Sequence, residues 1–412
     1  MLEENAVPPV SPRSSLRRFI EPVVVVSCFL ALGVFIIALG ALLITGNTPS
    51  SRDVVSFWAA GRQIDHRANP YDAASIQVIE HSVGFANSSG TLIMRNPPSA
   101  LAMVMPLGFF DLQQAALLWT VLLLGALGLS VHLLWVMQGR PNNKIHFLGY
   151  SFGPALACIL GGQSSLFALL GLVLFLRLHR RHTFLAGLSL WLCALKPHLF
   201  LPFGAVLLVW AIVNKRYRLL AGTVLALTLS SLLATSLDPS VWAEYRQMMR
   251  SSGIEQEFIP CLAAGLRFAI RPQAMWLQYV PAIVGCAWGV WFYWSRRARW
   301  DWMKDGALLM LVSVLVTPYA WLTDQALLVP ALLVGAYRAT TKSQLAVLAF
   351  VSAFIEFAQI AGSSMHSALY LWVPPFWLAW YLYVSMKSNS QQNRIAGARD
   401  ACTLHDSATW AR

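Results

Sequence analysis

From residue 20 to residue 387 the chain alternates long apolar stretches with short polar turns. A membrane-crossing helix takes roughly 17–25 apolar residues, and fewer where helices dip or break. On that measure spans are expected near 20–45, 114–137, 145–160, 163–178, 183–195, 199–213, 217–236, 274–295, 304–320, 322–338, 343–362 and 369–387. The pattern predicts an all-α polytopic membrane protein with about twelve transmembrane helices. The first stretch is longer than a signal-peptide core of ~7–15 apolar residues and has no small-residue cleavage site, so it is expected to remain as the first span.

One interval breaks the rhythm. "SRDVVSFWAAGRQIDHRANPYDAA", residues 51–74, sets Asp53, Asp65 and Asp72 among Arg52, Arg62 and Arg67, and adds Phe57, Trp58 and Tyr71. A plain connector would be shorter and blander. Further on, 97–110 ("PPSALAMVMPLGFF") is apolar, but it is only about fourteen residues long with proline near both ends. It is expected to stay on the outer face as a juxtamembrane or re-entrant segment. The first outer loop then runs over 46–113, with short amphipathic helices at 54–66 and 72–82.

Composition agrees with the membrane reading. The chain is 57% hydrophobic and 12% charged, against about 25% charged in a soluble domain. Its net charge of +12 would suit a nucleic-acid binder, but the positions of the charges argue otherwise. With the N-terminus inside, most of the 30 Lys and Arg fall on the cytoplasmic side, in the turns around Arg13, Arg140, Arg180, Arg216, Arg297, Arg338 and Lys387. That is the positive-inside asymmetry of a membrane protein. The basic excess is a topology signal, with membrane lipids and not nucleic acid as the partner. If 97–110 crossed the membrane, every later loop would change sides and the asymmetry would invert. The expected organisation is a cytoplasmic tail at 1–19, one transmembrane domain at 20–387, and a second cytoplasmic tail at 388–412.

Cysteines add little, since Cys28, Cys158, Cys193 and Cys286 fall in spans and only Cys261 lies on the outer side. No Cys/His spacing suits a metal, and neither DxD, GxGxxG nor a P-loop occurs. No metal and no cofactor are expected.

Residues able to carry chemistry collect on the outer face: Asp53, Arg62, Arg95, Asn96, Gln163, Lys196, His198, Arg246, Glu255, Tyr319, Trp321 and Asp324. "LCALKPHLFLPF" (192–203) is the most telling stretch. Its flanking spans reach only about 20 Å each at 1.5 Å per residue, short of a hydrocarbon core of ~30 Å. Lys196 is therefore expected below the outer surface, where an ionisable group needs a partner or a water-filled recess. It either snorkels to the headgroups or awaits a phosphate. In "LGGQSSLFALL" (160–170), Gln163 is either a turn cap or a ligand. In "TPYAWLTDQALLVP" (317–330), Tyr319, Trp321 and Asp324 form either an interfacial aromatic belt or a sugar site, with rings for CH faces and a carboxylate for hydroxyls. His198 is either a helix-end histidine or part of that site.

Taken in order, "DVVSFWAAGR", "RANPYDAA", "NPPSALAMVMPLGFFDLQQAALLW", "GGQSSLFALLGLVL", "AGLSLWLCALKPHLFLPF" and "TPYAWLTDQALLVPALL" resemble glycosyltransferase family 87, the polyprenyl-phosphate-mannose-dependent mannosyltransferase group. The similarity runs from about residue 50 to 335. It departs at "MRNPP", where the family usually has an aromatic residue and a tyrosine before the paired prolines. The resemblance implies a GT-C type fold with its site at the outer leaflet. It also implies an inverting, metal-independent transfer of a hexose from a polyprenyl-phosphate donor to a lipid or glycan acceptor. By the same resemblance, Asp53 corresponds to the base, and Lys196 with Pro197 to the lysine-proline turn. Lys196, His198 and Arg95 are then candidates for the donor phosphate, while Phe57 and Trp58 would line the acceptor or lipid path. Asp65 and Asp72 read as loop salt bridges and helix caps. A bacterial inner membrane fits, with both termini inside. The alternative is a twelve-span small-molecule transporter or lipid flippase, which would explain the intramembrane lysine but not the long outer loop.

Overall fold

The structure, a computed structural model, describes residues 22, 25, 26, 28–38, 40, 51–85, 90–253, 257–362, 366–388 and 390. The expected tail at 1–19, the loop entrance at 46–50, Glu255 and residues 391–412 lie outside them. Among the described residues there is helix and no strand.

The chain begins with α1 (Cys28–Ala38). The region between α1 and α5 supplies α2 (Ser51–Asp65), α3 (Ala73–Ser82) and α4 (Leu101–Val104), the last between 3-10 turns at Pro98–Ala100 and Met105–Phe109. Then come α5 (Leu112–Met137), α6 (Phe147–Tyr150), α7 (Gly153–Gly161), α8 (Ser165–Leu178) and α9 (Thr183–Cys193). They are followed by α10 (Leu201–Val213), α11 (Tyr217–Leu237), α12 (Val241–Ser251), α13 (Leu262–Ile270) and α14 (Trp276–Arg296). The last are α15 (Asp305–Val316), α16 (Val329–Arg338), α17 (Lys342–Ile360) and α18 (373–388).

Three of these, α5, α11 and α17, are long and apolar enough to cross a membrane by themselves. Others, among them α1, α8, α9 and α15, are shorter apolar helices, and some are entered through 3-10 turns, such as Pro197–Phe200 before α10 and Leu322–Leu328 before α16. Expected spans 145–160 and 322–338 are thus broken pieces rather than single rods. Proline explains where many of the pieces start. Pro154, Pro202 and Pro330 each sit in the first turn of their helix, where the missing N–H costs nothing, whereas inside a helix proline breaks the ladder. The protein is an all-helical, multi-pass membrane protein.

Small residues bring the helices that carry the site close together. Gly171 on α8 lies against the Ser189 carbonyl and Leu192 on α9; Gly187 on α9 lies against the Leu219 carbonyl of α11; Gly222 of α11 faces the Phe184 carbonyl. In lipid the hydrophobic effect does not drive helix against helix, so close backbone approach at such residues supplies the contact. Thr223 adds a hydrogen bond to the Gly187 carbonyl at 3.1 Å.

The loop helices begin as expected from local chemistry. Asp72 caps α3 through the Ser75 amide at 2.9 Å, and Asp111 caps α5 through Gln114 at 2.8 Å. The 98–109 segment lies on α2. A Cβ on Gly61 would sit 2.6 Å from the Val104 carbonyl oxygen, and one on Gly108 would meet the Asp65 carboxylate.

Candidate active site

Asp53 is in the first turn of α2, where the helix dipole favours a negative charge. Phe57, one turn later on the same face, packs against Trp119 of α5 with the rings tilted and their centroids 5.0 Å apart. Trp119 is fully buried, meets Phe167 of α8 at 4.9 Å, and donates its indole N–H to the Gly162 carbonyl at 2.8 Å. Gly162 ends α7 in the left-handed region, with φ at 69°, which is cheap only for glycine. The next residue is Gln163. The ring that follows Asp53 by one turn and the turn that carries Gln163 are therefore tied to the same tryptophan.

The result is a continuous hydrogen-bonded chain. Gln163 Nε2 donates to Asp53 Oδ2 at 2.5 Å, and Lys196 Nζ donates to Gln163 Oε1 at 2.8 Å. Lys196 also donates to Ser165 Oγ at 3.0 Å and to Asp324 Oδ1 at 2.6 Å. Ser165 donates to Asp324 Oδ1 at 2.6 Å, and the Trp321 amide donates to Asp324 Oδ2 at 2.8 Å. Lys196 is 8% exposed and Asp324 0%, so this is a buried ion pair with its remaining groups satisfied, the condition under which such a pair is tolerated. Lys196 is buried as expected of a lysine that needs a partner, and Asp324 is that partner.

Other expected residues surround this chain. His198 stacks on Tyr319 at 3.8 Å between centroids, and the pair is held by Thr317, whose hydroxyl donates to the His198 carbonyl at 2.9 Å. The His198 ring lies within electrostatic reach of Asp324 and Lys196. Arg95 forks onto Glu257 at 3.0 and 2.6 Å, and its charge reaches Tyr319. The neighbouring Asn96 donates to the Leu195 carbonyl at 2.8 Å, which ties the loop before α5 to the lysine turn. The Trp321 ring meets His366 edge-on at 4.9 Å. Trp58 is 1% exposed and donates to the Phe110 carbonyl at 2.9 Å. That bond joins α2 to the end of the 98–109 segment.

Charges on the loops and short helices around the site respond to their neighbours. The Arg95 fork holds the Glu257 carboxyl below its usual range, and Ser75 does the same for Asp72. Glu244 on α12 goes the other way. Burial, then Asp238 beside it, raises its carboxyl to about 7. Neither Glu244 Oε2 nor Asp238 Oδ2 meets another donor, so the contact between them holds with the proton on Glu244.

The sequence profile of glycosyltransferase family 87 matches residues 95–318, more than half of the chain. The chain belongs to glycosyltransferase family 87. No curated protein and no solved structure matches it. Family 87 membership makes the protein a glycosyltransferase and sets the transporter alternative aside. The matched segment contains Arg95, Gln163, Lys196 and His198, while Asp53, Tyr319, Trp321 and Asp324 lie beyond its ends. The fold attaches them to it: Asp53 through Gln163, Asp324 through Lys196. Among the described residues no three His, Cys, Asp or Glu side chains gather as a metal-binding group.

Two members of the cluster were not foreseen from the sequence. Ser165 is one of two serines in "GGQSS", and only its position at the start of α8 singles it out. Glu257 pairs with Arg95 across 162 residues, and no local pattern announces that.

Proposed function

We propose that this family 87 enzyme moves a hexose, mannose in the first instance, from a polyprenyl-phosphate donor to a hydroxyl of a lipid or glycan acceptor. The transfer takes place at the outer face of the membrane. In this reading the protein has a GT-C type fold of about twelve spans, sits in a bacterial inner membrane, and keeps both termini in the cytoplasm. The carrying observation is the chain from Asp53 through Gln163 to the buried Lys196–Asp324 pair, which sets a carboxylate one amide away from a fixed cation.

The acceptor hydroxyl attacks the anomeric carbon as Asp53 takes its proton. The bond from that carbon to the phosphate oxygen breaks, and its electron pair leaves with the polyprenyl phosphate. A single base across the sugar from the leaving group gives inversion, as in inverting glycosidases. The leaving group is already an anionic phosphate, so it needs charge stabilisation more than a proton. Lys196, neutralised by Asp324, stands near the phosphate, and His198 and Arg95 are the side chains proposed to contact it. The faces of Tyr319 and Trp321 would hold the sugar. The reading asks no metal of the site.

The test is transfer from radiolabelled polyprenyl-phosphate mannose to a total membrane-lipid extract, by membranes containing the wild type or Asp53→Asn. Transfer by the wild type and a loss of about a hundredfold or more in the variant, at equal protein level, is expected. Equal transfer by both would remove Asp53 from the role of base.

A further inference from the structure

Lysine can only donate hydrogen bonds, and it has three N–H groups. In this protein all three are committed, to Gln163 Oε1, Ser165 Oγ and Asp324 Oδ1. That saturation fixes which way the Gln163 amide points. Its oxygen must face Lys196, so its NH2 must face Asp53. A flipped amide would set two donors against each other at Lys196 and two acceptors against each other at Asp53. The Asp53 oxygen that receives Nε2 must then offer a lone pair.

We infer that Gln163 is a positioning residue for Asp53, and that Lys196 acts on the base by orienting this amide rather than by contacting it. The inference rests on the reading of Asp53 as the base. It gives the fixed cation an additional task. Lys196 and Asp324 together carry no net charge, yet their geometry determines that a donor, not an acceptor, reaches the carboxylate. A carboxylate held by an N–H stays ionised to lower pH. Helix α2 contributes in the same sense, because Asp53 lies in its first turn. Ser165 completes the device from the other side, accepting from Lys196 and donating to Asp324, so the ammonium has no freedom to rotate away from Gln163.

The test does not depend on knowing the substrate. The full-length protein in detergent is titrated by infrared spectroscopy, and the difference between wild type and Asp53→Asn isolates the Asp53 carboxyl band. Gln163→Met keeps the length of the side chain and removes the amide. The Asp53 midpoint is expected to rise by about 1–2 pH units, the worth of one hydrogen bond to a charged group. Gln163→Glu, closest in shape, is expected to raise it in the same direction by placing a second carboxylate beside Asp53. The double variant Lys196→Met/Asp324→Asn, which removes both charges together, is expected to raise the midpoint while Gln163 is present and to add little when Gln163 is already Met. An unchanged midpoint in Gln163→Met would overturn the inference. So would a shift in the double variant that persists undiminished without Gln163, since Lys196 would then act directly through its charge. Retained transfer by Asp53→Asn would instead remove the base reading and leave the titration result standing.

Discussion

Lys196 and Asp324 show what a single residue costs when its partner is buried with it. Asp324 is 0% exposed, so Lys196→Met strands a carboxylate with no water to receive it. Breaking one side of a buried pair typically costs about 3–5 kcal/mol. Thermal unfolding in detergent should show Lys196→Met well below wild type, with Lys196→Met/Asp324→Asn recovering much of the loss. Equal stability of the two variants would mean that the pair is not buried in the membrane-embedded protein. Glu244 gives a prediction in pH. Its carboxyl is raised from an ordinary 4.5 to about 7, so the folded state holds its proton more tightly than the unfolded chain does. The stability this supplies is full below about 4.5 and is lost as pH rises through about 7. Across that window the wild type should lose thermal stability more steeply than Glu244→Gln. Parallel curves would show that Glu244 is not protonated in the folded state across that window.

At the scale of elements, the rings of the loop before α5 pack between helices. Phe57 and Trp58 suggested a path for acceptor or lipid, because exposed aromatic residues on a loop invite that reading. In the structure both are buried, and Phe57 sets the position of α2 against Trp119. The helices themselves were legible: 54–66 and 72–82 were expected, and Ser51–Asp65 and Ala73–Ser82 are found. Asp72 could be read as a cap because capping is local; Asp65 could not, since it forms no ion pair among the described residues and instead faces Gly108. The close approach of Gly61 to the Val104 carbonyl makes a strict demand. Gly61→Ala should push the 98–109 segment off α2, at about 1–3 kcal/mol of overpacking, and open this loop to limited proteolysis. A cleavage pattern like the wild type's would show that the contact yields without cost.

For the molecule as a whole, the proposed topology places the loop helices outside and the basic turns inside. His81 and Arg299 are both exposed and belong to opposite sides in that scheme. With the wild type as background, His81→Cys should react with a membrane-impermeant thiol reagent added to intact cells, and Arg299→Cys only after lysis. The reverse pattern would invert every loop and place Asp53 in the cytoplasm. The number of crossings was harder to read than the membrane character. Apolar runs such as 322–338 look continuous in sequence, but here a 3-10 turn precedes a ten-residue helix. Hydrophobicity reports what a segment is immersed in, and a buried turn with satisfied hydrogen bonds is as apolar in composition as a helix.

The sequence by itself determined the membrane class, the helical architecture, the separation of charge between turns, and the family resemblance later met by the profile match. Each depends on composition or short-range order that can be read along one dimension. Only the tertiary structure decided which outer residues form one site. Asp53 meets Gln163 across 110 positions, and Lys196 meets Asp324 across 128. Hydrogen bonds at 2.5–3.0 Å require separate turns to converge in space, and convergence depends on how the helices between them pack.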